Sequence, residues 1–229
     1  MTRLHSAGNG TDDLHYIVFS SVLQSESVDS RYANYLQANI AALGEQINCF
    51  PCRGTIFVLL RFTKETKKTQ MTTAVISCFR NFRSDAGASL VFDDLSTLPM
   101  AFKQSAEAQK IGRIIEPEQP CHEFCRLITY YMISSLSAEE IESLMTPEYR
   151  RLRAFDASHG TDLLRTAEAC YDCSMNITKT AAKLHVHRNT VSYRTDLIRE
   201  KLEADISDMT VLSGIVRSVK IGRWLSRAK

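Results

Sequence analysis

Asn176-Ile177-Thr178-Lys179-Thr180-Ala181-Ala182-Lys183-Leu184-His185-Val186-His187-Arg188-Asn189-Thr190-Val191-Ser192-Tyr193-Arg194 is the stretch around which the rest of the chain organises itself. It predicts two helices separated by a short turn. Thr178, with the apolar Ile177 before it, has the chemistry of a helix N-cap. Lys179 to Leu184 then forms a short helix, in which the small pair Ala181 and Ala182 lets another helix approach closely. His185-Val186-His187 is the turn. A longer helix begins at Arg188, with Val191, Thr195, Ile198 and Leu202 at i, i+4, i+7 and i+11 along an inner face. Upstream, Leu163, Leu164, Ala167, Cys170 and Tyr171 make one apolar stripe on a helix expected to end near Asn176. Together these segments predict a tri-helical unit.

The outer face of the last helix keeps Arg188, Asn189, Ser192 and Tyr193 close to its N-terminal end. These are groove-reading residue types: Arg bonds guanine in a bidentate way, Asn bonds adenine, Ser donates to a base or phosphate, and Tyr reaches a phosphate oxygen. That end of a recognition helix is the one that enters the major groove of double-stranded DNA. Lys179, Lys183, Arg194, Arg199 and Lys201 supply the non-specific attraction to phosphates. His187 is placed to cap the recognition helix and to contact a phosphate, whereas Thr190, in the first turn, serves more as a structural hydroxyl than as a base contact.

Residues from about Phe124 to Trp224 resemble the C-terminal region of PucR-like regulators, the purine-catabolism and sugar-diacid group. The resemblance is carried by Asp162-Leu163-Leu164-Arg165-Thr166, by Asn176 to Leu184, and above all by His185 to Arg194. It implies DNA binding through a helix-turn-helix and implies that His187, Arg188, Asn189, Thr190, Tyr193 and Arg194 are motif residues. With Thr178, Lys179, Lys183 and Ser192 they form the candidate site. In one respect the chain departs from the family, which usually continues with a basic, apolar segment after Arg194. Here Thr195-Asp196 follows, and Asp196 would repel a nearby phosphate. A single helix-turn-helix reads only a few base pairs, so a homodimer on two half-sites is expected. An unknown small-molecule effector stays open. So do two alternatives: a helical protein-interaction adaptor that has lost DNA binding, and a nucleotide-binding sensor.

Composition bounds these readings. The chain has 229 residues and 44% apolar content, enough for one or two domains with real cores. Its 28 Lys and Arg against 26 Asp and Glu exclude a chain-wide basic field. From Thr161 onward, however, twelve Lys or Arg face eight Asp or Glu, so the basicity lies in the C-terminal third. The first ten residues are too polar for a signal peptide and no long apolar run follows, which predicts a cytoplasmic protein without a membrane span. The odd count of seven cysteines reads as reduced thiols. Two Cys-x-x-Cys pairs, Cys49 with Cys52 and Cys170 with Cys173, are too far apart in sequence to share a zinc ion. Cys170 is expected to be a small buried hydrophobe, and Cys49 and Cys52, in a loop beside Pro51, offer a thiol switch as the alternative to plain reduced thiols. His185 and His187 belong to the turn rather than to a metal site, and no metal or cofactor is expected.

The remaining segments predict an α+β chain: an N-terminal α/β domain over 14–116, a helical connector over 117–160 and an all-α helix-turn-helix domain over 161–229, with 1–13 a disordered tail. Strands are expected at Tyr16 to Val22, Thr55 to Phe62 and Ser89 to Phe92. Helices are expected through Tyr32, Leu36, Ile40 and Leu43 up to Gly44, through Ala74 to Phe79, and from Leu98 to about Ile111. Lys64 to Gln70 reads as a polar stretch whose Lys-rich part is a solvated loop, and no strand is expected after Pro120. Ser137 with Glu140 is a capping box, Pro147 opens another helix, and Trp224 lies on a closing helix. Cys52 to Leu60 resembles the Gly-Gly-Asp-Glu-Phe hairpin of diguanylate cyclases with its chemistry removed, and Ala106 to Arg113 resembles that fold's closing helix. Ser20-Ser21 and Thr55-Ile56 stand where carboxylates would hold Mg²⁺, so the resemblance implies a degenerate, non-enzymatic domain.

Overall fold

Strand β1 (His15–Val22) alternates Ile17 and Phe19 against Val18 and Ser20, and all four are buried, which is the pattern of a strand covered on both faces. The computed structural model describes residues 14–22, 30–63, 65–81, 84–202 and 205–227. The segment 1–13, expected to be a disordered tail, lies outside the described residues, as does Lys64. The chain divides into two compact units, Met1–Tyr131 and Met132–Lys229.

In the first unit β1 is the centre of a five-stranded sheet ordered β2-β3-β1-β4-β5, with β2 (Ile47–Cys52), β3 (Thr55–Phe62), β4 (Ala86–Ala88) and β5 (Cys121–Glu123). β3 has the bounds expected from sequence. β2 was missed. It pairs antiparallel with β3 through a two-residue connection, Arg53-Gly54, whose φ angles of 48° and 76° are those of a type I′ hairpin turn. β2 removes Cys49 and Cys52 from the expected loop. Three apart on a strand, their side chains leave opposite faces, so they do not form a local thiol pair. All seven cysteines are free, and burial pushes the Cys49 thiol up to about 11.

The strand expected at Ser89 to Phe92 is displaced to Ala86–Ala88. Phe19 pairs with Ala88, but Tyr16 bridges Phe92, one residue later than a continuous ladder would allow. That extra residue is a bulge. Ser89 explains it: its Oγ accepts the Val18 amide at 3.0 Å and donates to the Leu90 carbonyl at 2.7 Å. β5 corrects the expectation of no strand after Pro120. It adds in parallel to β4, so the sheet continues past the Pro117 boundary.

Helices α1 (Ser30–Ala41) and α2 (Glu65–Asn81) cover one face, where Leu36, Ile40, Val75 and Phe79 join Ile17 and Phe19 in a single core. Leu43 lies beyond the end of α1 and is exposed. The stretch after Lys64, expected to be polar loop, forms the first turns of α2. Helix α3 (Leu98–Ile115) covers the opposite face, its Phe102 meeting Phe50 and Phe57 edge-on at 5.6 and 5.0 Å. It approaches very closely. A Cβ at Gly87 would lie 1.9 Å from the Ser105 carbonyl oxygen, and one at Gly112 would lie 2.1 Å from the His122 ring.

That proximity builds a polar network across β1, α3, β5 and the loop before β4. Arg113 Nε lies 3.0 and 2.9 Å from the two Asp85 oxygens and its Nη2 lies 2.7 Å from Oδ1. His122 Nε2 is 3.1 Å from Asp85 Oδ2. Gln109 donates to the Asp85 carbonyl at 2.9 Å and accepts the Val22 amide at 2.9 Å, and Ser21 Oγ donates to the Asp85 carbonyl at 2.7 Å. Burial alone would raise the Asp85 carboxyl, but hydrogen bonds from His122 and Arg113 and the Arg113 charge outweigh it and hold it well below the ordinary carboxylate range.

The second unit is helical among its described residues: α5 (Ala138–Ser143), α6 (Pro147–His159), α7 (Leu163–Asp172), α8 (Ile177–Leu184), α9 (Arg188–Leu202) and α10 (Met209–Arg227), after α4 (Phe124–Ile133). The Ser137–Glu140 capping box forms with both bonds, at 3.2 and 2.7 Å, and Pro147 is the first residue of α6. The expected connector is divided between the units. Leu152 of α6 shares one core with Leu163 and Ala167 of α7, Ile198 and Leu202 of α9, and Leu212, Ile215 and Val216 of α10. Trp224 is 9% exposed on α10, which closes the bundle. Gly222 lets α10 meet α6, since a Cβ there would lie 2.3 Å from the Tyr149 hydroxyl. Among the described residues no helix is long and apolar enough to cross a membrane.

Candidate nucleic-acid interface

Helix α7 is positioned from outside its own sequence. Asp162 occupies its N-cap position yet makes no side-chain cap bond among the described residues. Asp156 of α6 does that work instead, its carboxylate accepting the Leu163 and Leu164 amides at 2.8 and 3.0 Å and the Thr161 hydroxyl at 2.5 Å. Arg223 of α10 meets Glu168 at 2.9 Å and ties the other side of α7 down. No local spacing rule marks either residue in the sequence.

α7 ends at Asp172, earlier than expected, because Ser174 and Met175 turn left-handed at φ 50° and 61°. The Met175 amide reaches back to the Cys170 carbonyl at 2.8 Å. Asn176, not Thr178, is the N-cap of α8. Its Oδ1 accepts the Lys179 amide at 2.9 Å, and Asn outranks Thr at this position. Thr178 is thereby placed in the first turn of α8, exposed, beside exposed Lys179. Thr180 is fully buried and its hydroxyl donates to the Asn176 carbonyl at 2.9 Å. Of the two alanines, Ala181 packs with Ala169, Cys170, Leu184 and Val191, whereas Ala182 is exposed.

The turn closes in the two-bond Schellman pattern, Val186 N–H to the Ala181 carbonyl at 3.0 Å and His185 N–H to the Ala182 carbonyl at 3.2 Å. His185 adopts φ 56° to allow it. His187 Nδ1 then accepts the Asn189 amide at 3.2 Å and caps α9, as the sequence indicated. Among the described residues no group of His, Cys, Asp and Glu is arranged to hold a metal ion.

α9 divides cleanly. Val191, Thr195, Ile198 and Leu202 are buried, as their spacing required. At about 1.5–3 kcal/mol for each fully buried large aliphatic side chain, this face fixes the helix against α6, α7 and α8. Arg188, Asn189, Ser192 and Tyr193 are all exposed, Tyr193 at 67%. Thr190 is half-buried. Arg194 turns away from them, spanning to α7 at 3.4 Å from the Thr166 hydroxyl and 3.7 Å from the Asp162 carboxylate.

The basic rim is partly self-paired. Lys183 contacts Asp172 at 2.5 Å, and this hydrogen bond raises its ammonium above the usual range. Asp196 meets Arg199 at 2.8 Å, which offsets the repulsion toward phosphate expected from its sequence position. Lys201 pairs with Glu200 and lies over the Phe155 ring at 5.3 Å. Exposed pairs of this kind are worth about 0–1 kcal/mol, less than a phosphate contact gains through counterion release, so they do not bar the lysines from one.

Residues 163–215 match the PucR C-terminal helix-turn-helix domain. The match opens on the first residue of α7 and closes inside α10, so the PucR-type helix-turn-helix takes in the three helices and the first part of the helix packed behind them. No curated protein matches the chain. A solved structure, the regulator of polyketide synthase expression from Bifidobacterium adolescentis, is similar over 93% of this chain and 82% of that one, at 17% identity and a TM-score of 0.41.

Proposed function

We propose that this chain is a DNA-binding transcription regulator that places α9 in the major groove. The observation that carries the reading is the division of α9, in which Val191, Thr195, Ile198 and Leu202 are consumed by packing and the first two turns project Arg188, Asn189, Ser192 and Tyr193 into solvent. Lys179, Lys183 and His187, with Thr178, flank that face as phosphate contacts. Thr190 and Arg194 act behind it, in the placement of α9. The active species is a homodimer on two half-sites about one helical turn apart.

The N-terminal unit is proposed to be a degenerate cyclase-like scaffold without catalysis. Ser20 and Ser21 are fully buried, and Thr55-Ile56 follow the hairpin turn where Mg²⁺ would require carboxylates.

The test is a mobility-shift titration across salt on an operator selected from genomic fragments. Arg188→Ala or Asn189→Ala is expected to weaken operator binding by about 1–3 kcal/mol and to relax discrimination at one base position. Parent-like binding of operator and random DNA by both variants would overturn the groove assignment.

A further inference from the structure

Between the sheet and α2 the first unit holds a cavity of about 200 Å³ that opens to solvent on one side. Its body is apolar, formed by Ile17, Phe19, Ala88 and Val91. An apolar cavity of about 150 Å³ holds one benzene ring, so this one has room for a ring and a short substituent. Cys121 adds a thiol that burial, with the charges of Glu123 and Asp85, pushes up to about 12, which keeps that wall neutral and unreactive.

One group on the wall lacks what buried polar groups normally have. Thr72 lines the cavity, and its hydroxyl is buried without a hydrogen-bond partner among the described residues. Leaving such a group unsatisfied is unfavourable, and a ligand atom that bonds it recovers the loss. Two charged residues also line the space, Lys68 and Glu123. They are of opposite sign, so their summed field favours neither an anion nor a cation.

We propose that this cavity is a binding site for a small uncharged molecule, ring-sized and largely apolar, whose one hydroxyl or carbonyl group pairs with the Thr72 hydroxyl. The site belongs to the N-terminal unit and stands whether or not the C-terminal helices bind DNA. It gives that unit a chemical input without requiring any catalysis.

The test uses the full chain with three probes that share one benzene ring and differ in its substituent: benzyl alcohol, toluene and benzoate. Binding is followed through the methyl NMR signals of Ile17 and Ala88. Benzyl alcohol is expected to saturate these shifts with an affinity about tenfold tighter than toluene and at least fivefold tighter than benzoate. Thr72→Val keeps the shape and removes the hydroxyl. It should bring benzyl alcohol to the level of toluene, leave toluene within twofold, and leave thermal stability unchanged or raised, because the lost hydroxyl had no partner. Thr72→Ser should restore the preference, and Val91→Trp, at the exposed edge, should block both ligands. No saturable shift with either benzyl alcohol or toluene would overturn the proposal. So would benzoate binding as tightly as the alcohol, or a preference for the alcohol that survives Thr72→Val.

Discussion

Each unit holds a cluster of polar side chains, one turned out to solvent and the other turned into its own fold. Arg188, Asn189, Ser192 and Tyr193 come from successive turns of one helix and point into solvent. Asp85, Gln109, Arg113 and His122 come from two elements, α3 and β5, and a loop, and they bond mainly to one another and to the backbone. The outward cluster has its hydrogen-bonding capacity still to use, which is what recognition requires. The inward one has used nearly all of it on the fold. Substitution should therefore separate them: changes in the first cluster alter binding and spare stability, and changes in the second do the reverse.

The largest expected effect tests the inward half. Asp85→Ala removes the acceptor for Arg113 and His122 together and should destabilise the N-terminal unit by about 2–3 kcal/mol, as measured by urea unfolding at pH 7. The folded carboxyl titrates below its ordinary range, so its contribution is complete above the unfolded value of about 3.9 and is lost as the pH falls through the folded value. The gap between parent and Asp85→Asn should accordingly narrow when unfolding is repeated near pH 2. A gap independent of pH would mean that the carboxylate's charge is not what holds the network.

Next in size is the outward half. Arg188→Ala and Asn189→Ala, which are expected to lose about 1–3 kcal/mol on operator DNA, should change unfolding stability by no more than about 0.5 kcal/mol. Lys183→Ala should weaken all sequences alike and reduce the salt slope by about one unit. Loss of stability in either recognition-face variant would erase the contrast between the clusters.

The same contrast explains what the sequence revealed. α9 was legible because its inner face obeys a 3.6-residue period and its outer face is defined by what remains, so local spacing carried both the helix and the candidate contacts. β3 was legible for the same reason, its apolar run being self-contained. β5 is three residues long and exists only because β4 lies beside it, and no periodicity can appear in so short a strand. β2 carries Pro51 and two cysteines, which weaken a strand pattern, and only the two-residue gap Arg53-Gly54 marked the hairpin. In the candidate site, what local spacing could not show is a partner that lies on another helix. Arg194 spans to α7, Lys183 to Asp172, and Asp156 caps a helix seven residues beyond itself.

Asp156 tests whether that long-range support reaches the interface. Asp156→Ala strips the first amides of α7 of their acceptor and should cost about 1 kcal/mol in stability of the helical unit, with Asp156→Asn recovering part of it. DNA affinity should fall only as far as the folded population falls, since Asp156 is not on the recognition face. A larger fall in affinity than in stability would show that the cap also sets the angle of α9.

The smallest effect sharpens the comparison at the turn between the two helices. His185 sits at φ 56°, where an L-residue loses about 1 kcal/mol relative to glycine, although His tolerates the region better than branched residues do. Glycine at the same place also widens the unfolded ensemble, which returns part of that gain. His185→Gly should therefore stabilise the helical unit by a few tenths of a kcal/mol and at most about 1, read as a small rise in the denaturation midpoint at unchanged slope. The backbone bonds from His185 to Ala182 and from Val186 to Ala181 need no side chain and should persist. Because His187, not His185, caps α9, operator affinity should match the parent. A destabilised His185→Gly, or one that folds normally but loses operator binding, would give the exposed imidazole of His185 a role of its own and extend the recognition face back into the turn.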